Sequence, residues 1–224
     1  MDISILRENI TNIFLENKHY EEIPKDNYSD FSYPGWLLKL MKFKTQRYKI
    51  KGFGHFMSME TKSFFGMQLL TISFMPGEGV SIPYFLIDIM IMGKKRIAFL
   101  EYYDCTDGHP DMKNLEEFSQ MYKDLPNYNE KPNWYISERT KYSLIKNELD
   151  DETLKNMVLD SVKAYNKELI GASIDEKNLK GLSSFRERMI NEGNPSSSIL
   201  ERVFGKEGAR DFFIKCVMPM GSDI

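Results

Sequence analysis

From Ile82 to Met92 the chain runs Ile-Pro-Tyr-Phe-Leu-Ile-Asp-Ile-Met-Ile-Met, almost wholly apolar, with Asp88 its single charge. At the two-residue period of a strand, Tyr84, Leu86, Asp88, Met90 and Met92 share one face. Phe85, Ile87, Ile89 and Ile91 share the other. Two apolar faces predict a central strand in a sheet covered on both sides.

The flanking patterns complete an architecture. Asp2 caps a predicted helix whose stripe is Ile3, Leu6, Ile10, Ile13 and Phe14, and which ends before Pro24. A turn-rich stretch, 25–35, follows. Strands are predicted near 36–43, 47–51, 53–60, 66–75, 83–92 and 95–103, with hairpin turns at Pro76–Gly79 and Gly93–Lys95. Short turns between consecutive strands mean an antiparallel meander. After Asp104 the period changes. Helices are predicted at 111–123, at 150–170 on Leu154, Met157, Val158, Val162, Tyr165 and Leu169, near 183–191, and at 195–216 with a break at Gly205. An irregular loop, 126–135, contains Trp134. Helices on either side of such a sheet predict an α/β fold: a three-layer α/β/α sandwich with a central antiparallel sheet of about six strands, in one domain spanning 1–224.

Composition narrows the function. Apolar residues make up 42% and charged residues 28%, which excludes a disordered or collagen-like chain. A net charge of -3 provides no basic field for nucleic acid. Cys105 and Cys216 are too few and too distant for a disulfide framework, which favours a reducing compartment. The N-terminus lacks the pattern of a signal peptide, and Lys94, Lys95 and Arg96 end the best apolar run before it reaches membrane length. The expectation is a soluble monomer of the cytoplasm or of a plastid stroma-like compartment.

An acid inside such a strand must find a partner or keep its proton, because desolvation penalises the carboxylate. Kept neutral near pH 7, it is a proton donor. A structural Asp bonded to a turn or an Arg is the competing reading, and the residue alone does not decide between them. His19, His55 and His109 fall in separate segments, and no metal-ligand spacing or local Cys–His pair occurs. No glycine-rich dinucleotide or phosphate loop is present, which disfavours a bound nicotinamide or flavin.

What remains is an apolar pocket. Thr71 and Ser73 lie on one face of the strand predicted to pair with that of Asp88, and 14 methionines offer soft packing suited to a large planar ligand, although most of them fill the core. The basic run Lys39, Lys42, Lys44, Arg47, Lys49 and Lys51 is either a guarded sheet edge and solvated surface or a docking patch for an acidic protein.

Several short motifs resemble the ferredoxin-dependent bilin reductases. Pro76, Pro83, Phe85 and Asp88 match the spacing of that family's central hairpin, and Ile97-Ala-Phe-Leu100 continues it. Asn194-Pro-Ser-Ser-Ser-Ile-Leu-Glu-Arg-Val-Phe-Gly205 and Ala209-Arg-Asp-Phe-Phe-Ile-Lys215 resemble its C-terminal segments. The resemblance implies an enzyme that binds biliverdin or a related linear tetrapyrrole between the sheet and the C-terminal helices. It implies no metal or flavin of the protein's own, single electrons from reduced ferredoxin, and protons delivered to a bilin radical in phycobilin biosynthesis.

Asp88 falls on the family's central catalytic Asp. Thr71 stands where members carry His or Asn, and Asn194 where many carry a second Asp. A further family carboxylate aligns with Met59, and the adjacent Glu60 points to the opposite face. With Asp88 as the one strong donor, a two-electron reduction to a dihydrobiliverdin-type product is expected. Asp88 and Asn194 are the candidate catalytic residues. Thr71, Ser73, Phe85, Met90, Arg186 and Arg188 are the candidates for binding substrate, the arginines, with Lys180, through its propionates. A non-catalytic tetrapyrrole-binding protein and a reductase of an opened chlorophyll catabolite are the alternatives.

Overall fold

The computed structural model describes residues 1–34, 39–105, 111–174, 176–194 and 197–221. Helix α1 (Ile3–Leu15) starts at Asp2, whose carboxylate accepts the Ser4 N–H at 2.9 Å. Strands β1 (Tyr20–Glu22), β2 (Asp30–Pro34), β3 (Lys39–Ile50), β4 (Gly54–Ser63), β5 (Gln68–Pro76), β6 (Tyr84–Met92) and β7 (Lys95–Tyr103) follow. Then come α2 (Lys113–Tyr122), a 3-10 turn (Trp134–Glu138), β8 (Leu144–Lys146), α3 (Asp151–Gly171), α4 (Glu176–Asn191) and α5 (Ser197–Phe212). A π turn (Phe213–Val217) ends the fold.

All pairings in the sheet are antiparallel, in the order β1-β3-β4-β5-β6-β7-β8, with β2 sharing the edge of β3 beside β1. The sheet thus has eight strands where the pattern predicted about six. Three of them, β1, β2 and β8, are too short to show a period, and β2 falls in the stretch read as turns. The strands predicted at 36–43 and 47–51 are one: Lys44, Thr45 and Gln46 stay in register opposite Glu60, Met59 and Ser58. Residues 36–38 of that prediction and 195–196 of the last predicted helix lie outside the described residues, as does His109. Helix α4 starts seven residues earlier than its apolar stripe suggested.

The two faces of β6 separate as their alternation predicts. Phe85, Ile87, Ile89 and Ile91 join one core with α1 and α3, while Tyr84 and Leu86 join another with α4, α5 and the π turn. In the first core the Phe85 ring stacks on Tyr165 at 4.5 Å and Tyr102 at 5.1 Å, and the Tyr165 hydroxyl donates to the Pro83 carbonyl at 2.6 Å. These bonds fix the height at which β6 enters the sheet. The second helical layer comes close enough that a Cβ on Gly181 of α4 would overlap the Cys105 carbonyl oxygen. Helix α5 bends at Gly205, whose φ of 74° suits glycine.

The basic run does not form one solvated face. Arg47 is buried, paired with Asp26 at 2.8 Å and directed at the Cys216 sulfur at 3.5 Å. Lys42, Lys44, Lys49 and Lys51 are exposed. Among the described residues no helix is long and apolar enough to cross a membrane.

Candidate functional site

Register places Asp88. Thr71 on β5 and Phe99 on β7 are its direct cross-strand partners, and Met59 on β4 pairs with Thr71 in turn. These four side chains form one row across the second face and line a cavity of about 340 Å³. Met41, Phe43, Leu69 and Met90 extend its apolar side, and Ile199 and Leu200 of α5 cover it. Tyr128, Glu130, Lys131, Asn133, Tyr135 and Arg139, from the segment between α2 and β8, supply a polar wall.

Asp88 accepts one hydrogen bond, from the Thr71 hydroxyl at 2.5 Å. Its side chain keeps partial exposure because it opens on the cavity, yet protein surrounds the carboxyl. Desolvation raises its pKa to about 6, against the lowering effect of Thr71. No arginine is locked to it: the ion pairs formed by arginines among the described residues use other carboxylates. The arrangement is a carboxyl that holds a proton in mildly acidic water and releases it near neutrality, beside an apolar slot.

The other predicted site residues divide. Met90 lies on the cavity wall with Thr71 and Asp88. Asn194 meets those two in an adjoining pocket of about 30 Å³, room for one water, and its amide donates to the Met189 carbonyl at 3.2 Å. Ser73 shares the face but not the cavity; its hydroxyl contacts the Tyr84 hydroxyl at 3.1 Å and donates to the Val217 carbonyl at 2.5 Å, pinning the π turn to the sheet. Phe85 is corrected outright: an odd position on β6, it points into the aromatic core on the opposite face. Arg186 and Arg188 do not line the cavity either. Arg186 donates to the Met218 carbonyl at 3.4 Å, whereas Arg188 lies 4.1 Å over the Trp134 ring and pairs with Glu138 and Glu192. The Lys180 side chain is outside the described residues. Glu60 points to the α1 face, where it pairs with Lys62 at 2.8 Å, as its alternation from Met59 predicts.

Sequence reasoning missed Glu101. It stands on β7 opposite Leu86, buried, with the Tyr103 hydroxyl donating to it at 2.7 Å and Arg139 in direct ion pair. Burial lifts its pKa to about 7 although Arg139 and Tyr103 pull it down. The signal was present: Ile97, Phe99, Glu101 and Tyr103 alternate on one face, repeating the isolated-acid pattern of Asp88. A larger groove of about 780 Å³, along the turns at His55, Pro76 and Met220, has only exposed acids, Glu21 and Glu78.

No family model matches the chain, and no curated protein matches it by sequence. Among solved structures it superposes on phytochromobilin synthase from tomato, in complex with biliverdin, with a TM-score of 0.71 over 95% of this chain and 80% of that one, at 15% identity. The chain has the fold of tomato phytochromobilin synthase. The likeness extends over nearly the whole chain, so it includes the sheet and the helical layers on both of its faces, and it agrees with the sandwich expected from the hydrophobic pattern.

Proposed function

We propose that this protein is an oxidoreductase that binds biliverdin or a related linear tetrapyrrole against the β4–β7 face and reduces it with single electrons from ferredoxin. The carrying observation is Asp88: an acid of raised pKa, held by Thr71, facing an apolar cavity between the sheet and α5. The pigment itself serves as the redox centre in this reading. The chain's task is to exclude water, fix the tetrapyrrole and deliver protons as charge builds on it.

Support comes from the motif resemblance and, independently, from a fold shared with a protein solved with biliverdin. Lys131 on the polar wall is better placed for a propionate than Arg186 or Arg188. A two-electron, dihydrobiliverdin-type product is the expected outcome. Mixing the purified protein with biliverdin and reduced ferredoxin tests the proposal. A spectral shift followed by turnover and a product heavier by two hydrogens supports it. A shift without turnover makes the chain a tetrapyrrole carrier, and no shift removes biliverdin as its ligand.

A further inference from the structure

Reducing one double bond takes two electrons and two protons, and Asp88 holds one proton per loading. Building on the reading of the cavity as a tetrapyrrole site, we infer that Glu101 supplies the second proton.

Geometry carries the assignment. Glu101 lies two residues beyond Phe99, the partner of Asp88, so the two acids are diagonal neighbours on one face. Such neighbours sit roughly 7–8 Å apart, a gap that one pigment ring or one water bridges. Both line the same cavity. Glu101 also belongs to a buried charged cluster. Arg139 pairs with Glu101 on one side and grips Glu130 with two bonds, at 2.5 and 2.9 Å, on the other. Two carboxylates around one guanidinium leave a buried unit with one excess negative charge, and a low dielectric favours neutralising it with a proton.

The charged and titratable groups around Glu101 act in both directions. Asp88 on β6 raises its proton affinity, while Arg139 and Tyr103 lower it. Tyr84 and Tyr135 lie within its electrostatic reach. The balance leaves Glu101 protonated below about pH 7 and ionised above it. Glu130, whose side chain is 18% exposed against 3% for Glu101, connects the cluster to solvent.

The steps balance. Reduced ferredoxin, an iron–sulfur donor, passes one electron to the pigment, and the Asp88 O–H bond breaks as a pigment C–H or N–H bond forms. A second reduced ferredoxin passes another electron, and the Glu101 O–H bond breaks as the second bond to hydrogen forms. Two oxidised donors, two carboxylates and a dihydro-pigment result. The Glu101 carboxylate is held by Arg139 and Tyr103, and solvent returns both protons.

Single-turnover reduction of the biliverdin complex, followed by optical and electron paramagnetic resonance spectra, tests this with Glu101→Gln. Arg139 keeps Glu130 as partner in that variant. Pigment binding and the protonated radical should persist, and decay of the radical should slow by about 100-fold or more. Glu101→Asp should recover at least about a tenth of the wild-type rate. In the wild type, radical decay should slow as pH rises through about 7. Wild-type decay in Glu101→Gln overturns the assignment; if that variant does not fold, a wild-type decay rate flat from about pH 6 to 9 does so. Absence of any radical or reduction in the wild type is a separate result, and it removes the functional reading itself.

Discussion

Thr71 and Asp88 face each other across β5 and β6, and the hydroxyl donates to the carboxylate at 2.5 Å. A bond to the ionised form lowers a carboxyl pKa, and here it works against desolvation. Thr71→Val keeps the shape and removes the donor. The Asp88 pKa should then rise above about 6, moving the alkaline limb of any Asp88-dependent rate to higher pH. A pH–rate profile of the variant, or direct titration of the carboxyl, reads this; an unmoved limb shows that Thr71 does not tune the acid.

Asp88→Asn should separate chemistry from folding. The amide still accepts from Thr71 but has no carboxyl proton to give. Biliverdin should bind, and reduction should stall with an unprotonated radical. Lost binding would instead mark Asp88 as structural.

The same substitution carries a stability signature. A folded-state pKa above the unfolded value means the native protein binds the proton more tightly, so stability falls as pH rises from about 4 through about 6. The rise from 3.8 to about 6 corresponds to roughly 2–3 kcal/mol, allowing for solvent reached through the cavity. Asp88→Asn should therefore exceed the wild type in stability by up to that amount at about pH 8, and match it near pH 3. Denaturant melts at the two pH values decide.

Lys146 on β8 is 2% exposed and spends its ammonium on the Lys123 and Leu125 carbonyls and Asn127 Oδ1, at 2.7, 2.9 and 2.7 Å. Those bonds hold the start of the segment that presents Tyr128, Glu130 and Lys131 to the cavity. Lys146→Met leaves the acceptors unmatched. It should cost about 2–4 kcal/mol and weaken pigment binding, measurable by melting and by titration of the bound spectrum.

Gly181→Ala probes the contact between α4 and the end of β7. The new methyl group would meet the Cys105 carbonyl, so the helix must lift and loosen Leu182 and Phe185 from their core. A loss of about 1–3 kcal/mol is expected, seen as a lower melting temperature.

The sheet was readable wherever burial is two-sided or strictly alternating. Residues 84–92 show both signals, and the assignment of Asp88 and Phe85 to opposite faces followed from period two alone. Strands of three residues have no period, so β1 and β8 were invisible. Lys44–Gln46 looks like a turn in sequence because three polar side chains follow one another, although Thr45 is buried and β3 continues through them. The burial of Arg47 is invisible in sequence because its partner Asp26 and its neighbour Cys216 come from distant segments.

The site was half legible. Asp88 announced itself as a charge among apolar neighbours. Glu101 carries the same alternation in a masked form, because Tyr102, Tyr103 and Asp104 make it look like the polar end of a strand, and its partner Arg139 is supplied by the loop before β8. Arg186 and Arg188 stand out in sequence by their proximity to the C-terminal helices. Only packing reveals that Arg188 is spent on Trp134 and two glutamates.

Because β6 faces two interiors, its numbering is a functional setting. Deleting one residue between Pro83 and Asp88 would swing the carboxyl into the apolar core on the opposite face, at the place of Ile87 between Ile72 and Leu100, and turn an isoleucine toward the slot. The aromatic stack on Phe85, far from any chemistry, thus acts as an index pin for the reactive side of the sheet.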